Sequence, residues 1–185
     1  MAFELPGTSV YTRGMLQLST SLTNRPILSL RTSTQIGTVL GPIINPNNLQ
    51  VEAFYCQSNF ANGQHILLER DIRDIMAQGF VVNDQDALSE PGELVRLQDT
   101  LKINFQLLGK PVVTTTGSHV GKVIDYATDV PSMFIKKIYV SQSIFKSLSS
   151  SNLGIDRLQI VEITPRKIVI NDLHGTMPAR ANALA

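Results

Sequence analysis

The chain has 185 residues, of which 43% are hydrophobic and 17% charged, enough apolar material for a core and too little net charge for a chain that stays unfolded. Sixteen basic side chains stand against 15 acidic ones, and the resulting formal charge of +1 excludes the bulk basic excess with which nucleic-acid binders capture phosphates. No run approaches the roughly 18 apolar residues of a membrane helix, and the opening residues have neither the basic start nor the apolar stretch of a signal peptide.

Residues 1–14 carry no strong periodic pattern and are expected to be a mobile tail. Leu16 and Leu18 begin the period-two alternation of a half-buried strand. β-Branched residues dominate 27–39, with Asn24-Arg25-Pro26 before them and Asn45-Pro46-Asn47-Asn48 after, so short strands joined by turns are predicted. Gly37 interrupts an apolar strand pattern and predicts a bend or bulge, because glycine weakens a strand unless geometry or close packing requires it. A phosphate-cradling loop would need a strand-to-helix transition and further glycines at fixed spacing, which are missing. Cys56 follows Phe54-Tyr55 in an apolar run and reads as a buried structural thiol. As the only cysteine it forms no intramolecular disulfide, which suits a reducing compartment and favours the cytoplasm.

The densest polar cluster is Glu69-Arg70-Asp71-Ile72-Arg73-Asp74, whose plainest reading is a solvated strand or turn with paired charges. Its sharper reading is a charged face for a protein partner, carried by Arg70, Asp71, Arg73 and Asp74. Asn83-Asp84-Gln85-Asp86 lacks the glycine and glutamate of a calcium loop and predicts a turn. Ser89-Glu90-Pro91-Gly92-Glu93, followed by Leu94-Val95-Arg96-Leu97, reads as an ordered linker with a short helical turn after the proline.

The same signals then return in the same order. At an offset of 85, Leu16, Leu18, Leu22, Pro26 and Ile27 fall on Leu101, Ile103, Leu107, Pro111 and Val112. At 84, residues 36–40 fall on 120–124, with Gly37 on Gly121, and Phe54-Tyr55 falls on Ile138-Tyr139. At 88, after a longer connection containing Ser147-Leu148-Ser149-Ser150-Ser151-Asn152, Ile72, Ile75 and residues 80–84 fall on Ile160, Ile163 and 168–172. Three collinear blocks indicate a tandem duplication. The expected divisions are a tail at 1–14, a first repeat with its linker at 15–99, a second repeat at 100–173 and a tail at 174–185. Leu101, Ile103, Phe105 and Leu107 alternate as a strand would. Each copy is predicted to be all-β, with roughly five or six short antiparallel strands in about 80 residues, a number that favours a small barrel over an open sandwich.

Residues 110–126, Lys-Pro-Val-Val-Thr-Thr-Thr-Gly-Ser-His-Val-Gly-Lys-Val-Ile-Asp-Tyr, resemble the opening of a PRC-barrel domain, with its apolar strand, turn, V/I-G-x-V pair and acidic residue. The first copy departs from this pattern, having Gly41-Pro42 where the second has Asp125-Tyr126. The resemblance covers roughly residues 15–172 as two PRC-like modules. The family includes the cytoplasmic domain of the photosynthetic reaction-centre H subunit and the C-terminal domain of the ribosome maturation factor RimM. It implies a barrel that docks onto other proteins and catalyses nothing.

Little else in the chain points to chemistry. His65, His119 and His174 lie far apart and have no partner at metal-ligand spacing, so each reads as a surface or turn histidine, and no metal or cofactor is expected. Lys136-Lys137 and Arg166-Lys167 read as ordinary surface pairs, and the aromatic residues show no stacking pattern of a single-strand RNA binder. The expectation is a cytoplasmic, non-enzymatic adaptor or scaffold with a protein partner that the sequence does not identify; peripheral association with a membrane complex is compatible with it. The alternative is a ribosome- or RNA-processing-associated assembly factor. Two copies in one chain can stand in for a homodimer.

Overall fold

A computed structural model describes residues 16–142 and 152–172, so the expected mobile tails, His174 and the connection at 147–151 lie outside the described residues. Leu16–Leu18 forms β1. Arg25–Ser29 (β2), Gln35–Asn45 (β3), Gln50–Ser58 (β4), Gln64–Leu68 (β5), Ile72–Met76 (β6) and Gly79–Val82 (β7) complete the first half, with a 3-10 turn at Glu69–Asp71 between β5 and β6. Leu88–Ser89 (β8), two 3-10 turns and a short helix, Gln98–Ile103 (α1), lead into the second half. There Pro111–Thr114 (β9), His119–Asp129 (β10), Phe134–Gln142 (β11), Asn152–Asp156 (β12), Ile160–Ile163 (β13) and Ile168–Ile170 (β14) follow, with a 3-10 turn at Arg157–Gln159 before β13. β10 and β11 begin and end 84 residues after β3 and β4, and β12 begins and ends 88 residues after β5.

The protein is mainly β, and its strands join in one mixed sheet that is not closed by hydrogen bonds. In the first half the pairing order is β6-β7-β2-β3-β4-β5; in the second it is β13-β14-β9-β10-β11-β12. The end strands of each path are consecutive in the chain and separated by a three-residue turn, which brings the ends of the path back toward each other. The all-antiparallel expectation is corrected at two places: β2 pairs with β7, and β9 with β14, in parallel. The reason is the 3-10 turn. It moves the chain sideways without reversing it, so β5 and β6 run the same way, and the hairpin after β6 delivers β7 to β2 in the same direction.

The 11-residue strands β3 and β10 are the long bent elements of each half. Their ladders slip by one residue beside Gly37 and Gly121, as bulges do. A Cβ on Gly37 would stand 2.5 Å from the carbonyl oxygen of Gln57, and one on Gly121 would overlap the carbonyl oxygen of Ser141. Close approach of a neighbouring backbone therefore requires glycine at both places.

The larger of two buried apolar clusters is drawn from both halves, with Leu22, Ile27, Val39, Phe54 and Phe80 from the first and Leu107, Val112, Val123, Ile138 and Ile168 from the second. Phe54 and Phe80 meet edge to face with ring centres 4.9 Å apart. The halves join where their central hairpins meet. Gln50 lies opposite Phe134, the Val51 amide donates to Met133 O at 2.8 Å, and the Ile135 amide donates to Leu49 O at 2.9 Å. Each of these pairs is 84 residues apart or maps onto the other pair under that shift, so a pseudo-twofold axis passes between Gln50 and Phe134.

The leading segment of each half is spent on the other. β1 pairs with the end of β10, and Ser19 donates from its amide (3.1 Å) and hydroxyl (2.5 Å) to Asp125 Oδ1. The matching end of β3 is covered instead by Leu97 and Leu101, packed with Ile43, Ala53 and Ile66. Thr100 Oγ1 donates to Glu52 at 2.8 Å. The strand expected from the alternation of Leu101, Ile103, Phe105 and Leu107 is thus a correction: residues 98–103 form α1, and Asn104 ends it in the left-handed region at φ 45°. Gln98, Leu101 and Lys102 are good helix formers, Asp99 in the first turn and Lys102 in the last suit the helix dipole, and the left-handed cap stops the helix.

Candidate functional site

The cluster at 69–74 spans the 3-10 turn and β6, where its side chains separate rather than pair. Among the described residues Glu69, Arg70, Asp71, Arg73 and Asp74 form no ion pair with one another, which corrects the expectation of paired charges. Arg73 Nε donates to Asn83 Oδ1 at 3.0 Å, and Asp74 Oδ1 is buried without a hydrogen-bond partner among the described residues. The 3-10 turn holds Glu69, Arg70 and Asp71 apart from β6, where Arg73 is exposed and Asp74 half-buried beside a one-residue slip in the pairing with β7.

Two hollows result. Arg70 and Glu69 line the larger, a groove of about 580 Å³ between β4 and β5 and the connector residues Glu93, Leu94, Val95, Arg96 and Leu97. Two of its carboxylates are already engaged. Glu52 accepts from Asn45 and Thr100, and Glu93 accepts from the Glu90 amide in the capping box that starts the Pro91–Glu93 turn. That turn follows the proline, where the sequence places a helical turn.

Arg73 and Asp74 line a second hollow, a slot of about 230 Å³ along β6. Four consecutive β6 residues, Ile72, Arg73, Asp74 and Ile75, form one wall, and Val130, Pro131 and Met133 from the β10–β11 turn form the other. Consecutive residues of one strand line a common space only along its edge, and among the described residues β6 pairs on one side alone, with β7. A corresponding slot of about 360 Å³ runs along β13, between Ile160, Val161, Glu162 and Ile163 and the β3–β4 turn at Pro46, Asn47, Asn48 and Leu49. Every residue of the first slot has its counterpart in the second under the shifts of 84 and 88. Asp71 lines none of these hollows.

The slots share a frame and differ in chemistry. Positions of Arg70 and Arg73 are taken in the second half by Leu158, 89% exposed, and Val161, 56% exposed. Glu69 is answered by Arg157, which donates to the Asn48 carbonyl across the join and lies 5.3 Å from the Phe134 ring centre. Arg157 thereby clasps the halves at one slot; the corresponding pair, Glu69 and Gln50, has no cation and no ring for such a contact. The offset of 88 sets Val161 against Arg73 and Leu158 against Arg70. The signal for the contrast was thus present in the sequence.

The remaining candidates fall elsewhere. Cys56 is buried beside Val39 and Leu67, and burial pushes its thiol up to about 12. Its counterpart Val140 is equally buried. His65 sits buried on β5, a correction to the surface or turn position expected; strand pairing with Cys56 turns it inward. His119 is exposed at the start of β10. Lys136 and Lys137 lie on β11, whereas Arg166 and Lys167 lie on the β13–β14 turn. Asp84 is the N-cap of a 3-10 turn and pairs with Arg31, as the turn reading of 83–86 requires. Burial, and then the Asp125 charge, raise the Tyr126 phenol, which lines a hollow of about 270 Å³ between the halves with Tyr55 and Phe105. Among the described residues no group of three His, Cys, Asp or Glu side chains is arranged to hold a metal, and no helix is long and apolar enough to cross a membrane.

No family model matches the chain, and no curated protein is similar to it.

Proposed function

We propose that the protein is a non-catalytic adaptor built from two PRC-like barrel modules, fused by duplication, that binds protein partners through the edges and turns of its sheet. The six-strand path of each half, curled back by a 3-10 turn, supports the barrel reading. One observation carries the binding role: on a common frame, Arg70 and Arg73 face solvent in one module where Leu158 and Val161 do so in the other. Neither pair is needed for the core, so divergence there writes two different surfaces onto one scaffold.

The test is affinity purification of tagged full-length protein from its native cytosol, with and without RNase, beside the R70E/R73E variant. A small RNase-resistant protein set that loses members in the variant is the expected result. If all partners survive the double charge reversal, the first module's edge is not a recognition face. Recovery dominated by ribosomal proteins that vanish with RNase would replace the adaptor by an assembly factor.

A further inference from the structure

The two edge slots differ in a way that selects one of them. The β6 edge carries Arg73 and Asp74, with Arg70 on the preceding turn, and inward or flanking charges of this kind block the addition of another strand. The β13 edge has Val161 in place of Arg73, and the turn before it Leu158 in place of Arg70, so of such charges it keeps Glu162 and, from the turn, Arg157, and is the less protected of the two. Its slot, about 360 Å³ against about 230 Å³, also reaches the size at which ligand pockets begin. Among the described residues β13 pairs only with β14, leaving its outer row of backbone donors and acceptors without a strand partner. Beyond its C-terminal end, the β13–β14 turn presents Arg166 and Lys167, both exposed.

We propose that the slot along β13 is a strand-addition site for an extended peptide that has apolar residues at alternate positions and an acidic N-terminal end. Main-chain hydrogen bonds to β13 supply affinity, Val161 covers the apolar side chains from within the slot, and Leu158 flanks them from the turn before β13. In an antiparallel addition the peptide's N-terminal end lies beside Arg166 and Lys167, which its acidic residues complement. Four residues of β13 span roughly 13 Å, so four or five peptide residues fill the edge. This inference rests on the adaptor reading and names the partner's chemistry.

The probe is a synthetic heptapeptide, Asp-Glu-Val-Thr-Val-Thr-Val, titrated into isotope-labelled full-length protein and followed by amide shifts and hydrogen exchange. Perturbation and slowed exchange are expected at 160–163 and not at 72–76. The variant L158K/V161K, altered only at exposed positions, should weaken binding roughly tenfold or more, and a peptide beginning Lys-Lys in place of Asp-Glu should bind several-fold less tightly than the acidic one. Shifts centred on β6, unchanged binding by the variant, or no shift at millimolar peptide each overturn the proposal. A wild-type dimer in light scattering that disappears in L158K/V161K also overturns it, because the occupant is then a second copy of the chain. If the peptide fails while the native partner set stays sensitive to R70E/R73E, the adaptor stands without this site. If the peptide binds and no partner is recovered from cytosol, the adaptor reading alone is lost.

Discussion

Gly37 and Gly121 show how a single residue fixes a bend that composition cannot. Both belong to apolar strand runs where alanine has the better intrinsic case, yet a carbonyl oxygen from the adjoining strand occupies the space a Cβ needs. Gly41 lies on the same strand as Gly37, and among the described residues nothing comes within 4 Å of its Cβ position. Gly121→Ala is therefore expected to cost about 2 kcal/mol or more in urea unfolding, while Gly41→Ala stays near neutral; equal costs would show that flexibility rather than close approach selects glycine at 121. Asp172 offers a pH handle. Its carboxyl is held below the ordinary carboxylate range chiefly by the Thr116 hydroxyl, which donates at 2.9 Å, with Thr115 at 3.1 Å. A lowered folded value means that the turn's stabilisation is present above the ordinary carboxylate pKa and is lost as pH falls through the lower one. Thr116→Val should move the Asp172 titration, read by carboxyl NMR, upward toward the ordinary value. In the first half Arg31 stands at the position of Thr116 and pairs with Asp84, so one corner is tied by charge and its counterpart by hydroxyls.

Among elements, the long strands and their turns were legible because period-two apolar spacing, β-branched runs and Asn/Pro/Gly breakers agree there. The repeat offsets even place β3 on β10 and β5 on β12 residue for residue. What stayed hidden were features that depend on direction or on a distant partner. The parallel pairs follow from a 3-10 turn that sequence marks only as a polar cluster. The segments led by Leu16 and Leu101 look alike yet become a strand and a helix, because one finds a free strand end on β10 and the other packs as α1 on a flat apolar patch formed by Ile43, Ala53 and Ile66. The edge slots were half visible: the charged 69–74 cluster stands out in composition, whereas an exposed Leu158 gains meaning only beside Arg70. The central hairpins make a further prediction. Leu49 and Met133 both sit in the left-handed region, at φ 54° and 53°, and both are buried at the pseudo-twofold axis. Such a conformation costs non-glycine residues about 1–2 kcal/mol and persists here because packing and the two crossing hydrogen bonds hold it. Leu49→Ala should lower stability by about 2–5 kcal/mol while unfolding remains a single transition by both fluorescence and circular dichroism. Two separated transitions would show that the halves unfold independently.

At the scale of the molecule, the shared core and the exchange of leading segments make each half incomplete alone. The arrangement is that of a symmetric dimer written into one chain, which frees each slot to change without altering the other: Arg157 clasps one side while Glu69 leaves the other unclasped. The same geometry creates a second way to satisfy every contact across the axis. A first half from one chain meets a second half from another as well as it meets its own, since the join is made of hairpins that carry no record of which chain they belong to. Local concentration within the chain normally decides the matter. Refolding at high protein concentration is expected to yield reciprocal dimers that separate slowly on dilution and give the same amide spectrum as the monomer, detectable by light scattering of chromatographic fractions. Only monomer at every refolding concentration would mean that the connector at 88–108 is too short or too firmly packed against β3 to reach across. The connector that fixes α1 on the first half is thus also the element that sets how faithfully the protein keeps its two halves to itself.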